Sequence, residues 1–143
     1  MNSNTIKAVQ ESWAKVVPIA PQAATIFYDK LFTYDPSLRS LFKVDMTAQK
    51  AHLVQILDAA VQGLDDLDAL VPVLQSLAKR HVAYGVQDAH YATVGAALLD
   101  TLATGLGDDF TPAVKEAWST VYGTMTAVMQ AAAAEVSAVP VAA

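Results

Sequence analysis

In a chain of 143 residues without cysteine, the strongest metal-binding side chains are three histidines, His52, His81 and His90. His81 is the most constrained by its neighbours. Leu70, Leu74, Leu77 and His81 are spaced four, three and four apart, the repeat that brings side chains onto one face of a helix. An imidazole on a leucine stripe has to be hydrogen-bonded, neutral or coordinated, because an unpaired nitrogen in an apolar interior costs about 1–3 kcal/mol. On spacing alone the commoner role is a core histidine bonded to a carbonyl or carboxylate, and coordination is the sharper alternative.

Other spacings narrow the kind of coordination. HExxH, CxxC and Glu-x-x-His are all missing from the chain, so a bare zinc or di-iron centre lacks its remaining ligands. A single axial ligand suits a group that brings its own equatorial donors, which points to haem. Haem needs an apolar slot with an opposing wall. Phe27, Tyr28, Phe42, Leu53, Leu57, Val86, Val94 and Leu98 are the candidates, although each aliphatic taken singly also reads as plain core. Tyr28, inside TIFYDKLF, and Gln49, one turn before Leu53, say more, since a buried phenol and amide both require partners and a diatomic gas is one.

Helices must position these groups, as no alternating β-branched run makes a convincing strand. The first helix runs from near Asn4 to before Pro18, with Ile6, Val9, Trp13 and Val16 inward. Pro21 opens the second, which stops at Asp35-Pro36, where the residue before proline leaves the helical region. After the short turn PSLRSLF, Thr47 is expected to cap a helix bearing Leu53, Ile56, Leu57, Ala60, Val61 and Leu64. The His81 helix has Pro72 in its first turns and ends at Gly85. Two longer helices, about 89–105 and 112–136, follow; His90 is expected to cap the first and Thr111 the second, with Pro112 at the first helical position. Residues 1–143 read as one all-α domain of six or seven helices, a bundle or a globin-like arrangement, with 137–143 as a frayed tail.

Composition excludes several classes. A net charge of −5 with scattered Lys and Arg offers no basic stripe for nucleic acid and no polybasic face for anionic lipid. No apolar run reaches the roughly 20 residues of a membrane span, and the N-terminus has no secretory h-region, so a soluble cytoplasmic protein is expected. Without cysteine, disulfides, thiolate sites and covalent thioether attachment of a cofactor are impossible.

In order, IFYDKLFTYDPSLRSLF, Gln49 with Leu53 four residues on, KRHVAYGV, HYATVG and AWSTVYG resemble the single-domain bacterial haemoglobins related to the globin domain of flavohaemoglobins, over roughly residues 4–130. The resemblance implies a globin fold of six to seven helices enclosing one non-covalent haem b. His81 then falls at the proximal iron ligand, Phe42 at the phenylalanine against the porphyrin, Tyr28 and Gln49 at the distal donors, Leu53 at the distal aliphatic, and Tyr91 at the proximal tyrosine. It also implies reversible binding of dioxygen, and of NO or CO, for oxygen storage or delivery by a monomer or homodimer.

One position departs from the family pattern. The glutamate that partners the proximal tyrosine is here Ala133, and Glu135, about 200° further round the helix, does not replace it. A less electron-donating axial imidazole follows, which favours ligand binding over oxidation. His52, about 60° from Gln49 on the helical wheel, reads first as an exposed histidine near a propionate, with reversible iron ligation as the sharper alternative. Arg80 and Lys79 are either propionate partners or solvated surface charges. The enzymatic alternative is nitric oxide dioxygenation fed by a separate reductase, since no GxGxxG is present. A haem-free interaction module is the third class, and it predicts no Soret band.

Overall fold

A computed structural model describes residues 2–42, 45–83, 86 and 88–138, with backbone alone at 83, 88 and 136–138. Six α-helices run through them: α1 (Ser3–Val16), α2 (Ala20–Tyr34), α3 (Met46–Gln62), α4 (Leu67–Ala83), α5 (Asp88–Leu106) and α6 (Pro112–Ala138). Short 3-10 turns join several of them, and no strand occurs among the described residues. The expected end at Gly85 and most of the expected frayed tail, residues 139–143, lie outside the described residues.

The caps explain most boundaries. Asn2 accepts from the Thr5 amide at 2.8 Å and so starts α1. Asp35 accepts from the Ser37 amide at 3.1 Å, folding Pro36–Leu41 into a 3-10 turn that delivers Phe42 in extended conformation. Two expected caps are corrected. Asp45, not Thr47, caps α3, its carboxylate accepting from the Thr47 amide at 3.0 Å; the carboxylate precedes the helix while Thr47 is already inside it. His90 sits within the first turn of α5 and does not precede it. Thr111 does accept from the Val114 amide, at 3.3 Å, at the start of α6. Pro72 lies six residues into α4, on its exposed side, where its lost N–H leaves the Asp68 carbonyl without a helical donor.

Helix α4 packs on α6, α2 on α5, and α1 on α6, while α3 rests on α1 and α2. Val9, Trp13, Leu31, Val61, Leu102, Trp118 and Val121, all 3% exposed or less, mark the middle of the core. Its few polar atoms act as ties. The Trp118 indole donates to the Ser12 hydroxyl at 2.8 Å, the Trp13 indole to the Asp58 carboxylate at 2.9 Å, and Gln10 to the Val61 carbonyl at 3.1 Å. The last two fix α3 against α1, and with it the line on which Gln49, His52 and Leu53 lie. The Tyr34 hydroxyl, donating to the Asp100 carboxylate, ties the end of α2 to α5.

Candidate functional site

His81 lies near the end of α4, half-buried, with its Nδ1 2.7 Å from the Leu77 carbonyl oxygen. A carbonyl can only accept, so Nδ1 carries the proton and Nε2 keeps its lone pair. Burial pulls the imidazole below its ordinary value; the bond to Leu77 opposes this, and the charges of Arg80 and His52 add to the lowering. Burial and the Leu77 bond together favour a neutral ring protonated at Nδ1, the tautomer suited to ligation through Nε2. The chain then turns back: the Val86 amide donates to the His81 carbonyl at 2.9 Å, which sets Val86 beside the histidine.

Helix α2 supplies Tyr28, which is 3% exposed. Phe27, Phe32 and Phe42 pack round its ring, the Phe42 ring edge-on at 5.4 Å between centroids. The Gln49 amide, from the first turn of α3, donates to the Tyr28 hydroxyl at 3.1 Å. That bond occupies an oxygen lone pair and leaves the phenolic proton available to another acceptor. Burial pushes the phenol above its ordinary value, which the Gln49 bond partly offsets, so Tyr28 stays a proton donor at neutral pH.

Phe42, Leu53, Leu57, Leu77, Val86 and Val94 form a partly exposed apolar set packed against the core, and Leu98 is fully buried behind it. An apolar cavity of about 20 Å³ touches Leu53 and Leu57 and is floored by Ala20, Ala23 and Ala24, enough for one small molecule. A surface cleft of about 480 Å³ between the Pro36–Leu41 turn and α5 includes His90 but none of the site residues expected from the sequence. His52 and Arg80 are exposed, and the charge of each contributes to lowering the His81 value.

Tyr91, near the start of α5, is buried and its backbone carbonyl accepts from the Tyr122 hydroxyl at 2.5 Å. Ala133 is buried and Glu135 exposed. Sequence reasoning missed the Tyr122 contact and its companion Gly95, where a Cβ would fall 2.7 Å from Tyr122 Cε2. The YG pair and the VG of HYATVG were the available signals.

One neutral imidazole, apolar walls and a phenol–amide pair fit a planar group that carries its own equatorial donors. Among the described residues no three His, Asp or Glu side chains are grouped to hold a metal ion directly. The fold and this arrangement define the class of helical haem proteins. The chain matches the Globin family model over residues 25–129 and belongs to the globin family, whose members bind haem and diatomic gases.

It is 30% identical to neuroglobin of Danio rerio over 135 residues, 85% of each protein. It is 34% identical to a flavohemoprotein of Vibrio cholerae over 107 residues, 71% of this chain but 27% of that protein. In structure it is similar to an engineered carbene transferase made from a Rhodothermus marinus protein assigned as a nitric oxide dioxygenase, with TM-score 0.88, 27% identity and 97% of each chain covered. A hexacoordinated heme protein from an anhydrobiotic tardigrade shares the fold, with TM-score 0.83 at 19% identity over 93% of this chain and 95% of the other. No helix among the described residues is long and apolar enough to cross a membrane.

Proposed function

We propose that this globin holds non-covalent haem b with His81 as axial ligand and binds dioxygen reversibly on the side of Tyr28 and Gln49, for storage or delivery in the cytoplasm. Haem iron supplies the gas-binding chemistry; the chain supplies the rest. His81 offers Nε2 because Leu77 holds the proton-bearing Nδ1. Phe42, Leu53, Leu57, Val86, Val94 and Leu98 keep water from the group, with Tyr91 behind the proximal side and Arg80 available to a propionate. Tyr28 keeps its proton on the hydroxyl oxygen, available to a polar gas ligand, while the Gln49 amide holds that oxygen in place. The observation that carries this reading is the 3.1 Å Gln49–Tyr28 hydrogen bond, which leaves that proton undirected within the pair. Oxygen displacement by CO tests it: Tyr28→Phe loses oxygen faster, and an unchanged off-rate shows that the hydroxyl serves another purpose.

A second reading concerns His52. It lies exposed on α3, about one turn after Gln49, which supports His52 as a reversible sixth iron ligand when no gas is bound. Sharp six-coordinate bands in the deoxy ferrous spectrum that collapse in His52→Ala are the expected signature, and a broad five-coordinate band in the unsubstituted protein contradicts it. Conversion of NO to nitrate uses the same distal pair and needs an external reductase; steady-state NO consumption with a cellular reductase separates it from simple binding.

A further inference from the structure

The surface cleft of about 480 Å³ between the Pro36–Leu41 turn and α5 is lined by polar atoms of one character. Asp35 is half-buried there. Its Oδ1 accepts from the Ser37 amide and the Ser37 hydroxyl, and its Oδ2 has no donor among the described residues. The hydroxyl protons are committed elsewhere: Ser37 donates to Asp35, Ser40 to the Ser37 carbonyl at 2.8 Å, and Thr93 to the Ala89 carbonyl at 3.5 Å. Each hydroxyl oxygen therefore keeps lone pairs to offer, and the cleft is a set of acceptors around one carboxylate. Among the described residues no Lys or Arg is within ion-pair distance of Asp35. Arg39, one turn further on, lies instead over the Phe32 ring at 5.3 Å. Buried Leu38 and half-buried Leu41 add apolar surface.

Acceptors around a negative charge, beside apolar surface, suit a ligand that brings donors, positive charge and a short hydrocarbon part. A metal ion suits the cleft less well. Hard cations take about six or more oxygens, several of them carboxylate, and no three His, Asp or Glu side chains are grouped among the described residues. The cleft volume falls within the range of about 300–1,000 Å³ common to small-molecule sites. A net charge of −5 further favours the approach of a cation.

We propose that this cleft binds a small organic cation, a guanidinium or primary ammonium on a short carbon chain, as an effector of the gas site. The coupling follows from the two walls. The turn ends at Phe42, whose ring packs edge-on to Tyr28 at 5.4 Å. On the opposite wall, His90 and Thr93 immediately precede Tyr91 and Val94. A ligand that bridges the walls fixes the turn, and with it the Phe42–Tyr28 contact, so less ordering remains for gas binding to supply. Oxygen affinity then rises with occupation. That effect rests on the haem reading above; the cleft itself does not.

The probe is agmatine, with butanediol as its uncharged counterpart and glutarate as its anionic one. Each is titrated into the haem-loaded, CO-bound protein and followed by amide NMR shifts and calorimetry. Agmatine should move the Leu38, Leu41, Ala89 and Thr93 amides to saturation, and the two counterparts should not. Asp35→Asn keeps an acceptor for the Ser37 amide while removing the charge, and should weaken agmatine by about tenfold or more. Thr93→Lys, which tethers an ammonium at the cleft wall, should abolish its binding. Saturating agmatine should raise the oxygen affinity of the parent by about fivefold and leave both variants unchanged. Unsaturable shifts, equal binding of a counterpart, undiminished affinity in Asp35→Asn, or tighter capture of zinc ion or of a capped Gly-Arg-Gly peptide overturns the organic-cation site. Saturable binding with unchanged oxygen affinity overturns the effector role. Failure to form a Soret band on haem addition overturns the haem reading and the coupling, while the amide shifts still decide the cleft.

Discussion

Tyr28 carries most of the predicted ligand chemistry. A hydrogen bond to a charged acceptor contributes about 1.5–3 kcal/mol, so Tyr28→Phe should lose oxygen about 10- to 100-fold faster when followed by CO displacement. Because burial raises the Tyr28 phenol above the ordinary value of 10.0, its proton stays in place and the off-rate should be flat between pH 7 and pH 10. The same shift has a stability consequence. A phenol whose folded value lies above its unfolded one contributes stability that is fully present below the unfolded value and is lost as pH rises through the folded one. Tyr122 is raised for the same reason, burial, with Tyr91 adding to it. Urea stability should therefore fall above about pH 10, and the Tyr28→Phe and Tyr122→Phe variants should each lose part of that fall.

Helix placement depends on a few contacts between elements. Asp58→Ala leaves the indole N–H of Trp13, a residue 3% exposed, without its acceptor; a loss of about 1–3 kcal/mol in urea unfolding is expected. Gly95 permits α5 and α6 to meet at Tyr122, and Gly95→Ala forces a Cβ to 2.7 Å from that ring. The expected cost is about 1–3 kcal/mol, and the variant should mirror Tyr122→Phe in weakening the hold on the Tyr91 carbonyl. The Trp13–Asp58 bond has no local signature, whereas the Gly95–Tyr122 contact had only the VG and YG pairs as signals. The helices themselves were legible, because Pro18, Pro36, Gly63 and Thr111 punctuate a clear apolar repeat. The α3 cap was not, since VDMT places two good capping residues two positions apart and only the tertiary path of the loop chooses Asp45. His90 was misjudged for a similar reason: a histidine opening HYATVG looks like a boundary, yet α5 begins at Asp88.

Across the whole molecule, the 3.1 Å contact between Gln49 and Tyr28 joins two residues that the ordered motifs already single out in the sequence. The tautomer of His81 was not legible, since the Leu77 carbonyl that sets it is backbone. Haem should also stabilise the whole fold by mass action, by about 2.7 kcal/mol at a free concentration of 100 times its Kd, read as a rise in denaturation midpoint. The most direct test of the account is the absorption spectrum of the haem-reconstituted protein beside that of His81→Gly, with and without added imidazole. A Soret band and a proximal-histidine ferrous spectrum in the parent, lost in His81→Gly and restored by imidazole, are the expected result. A His81→Gly protein that binds haem with an unchanged ferrous spectrum would contradict the assignment of His81 as the axial ligand.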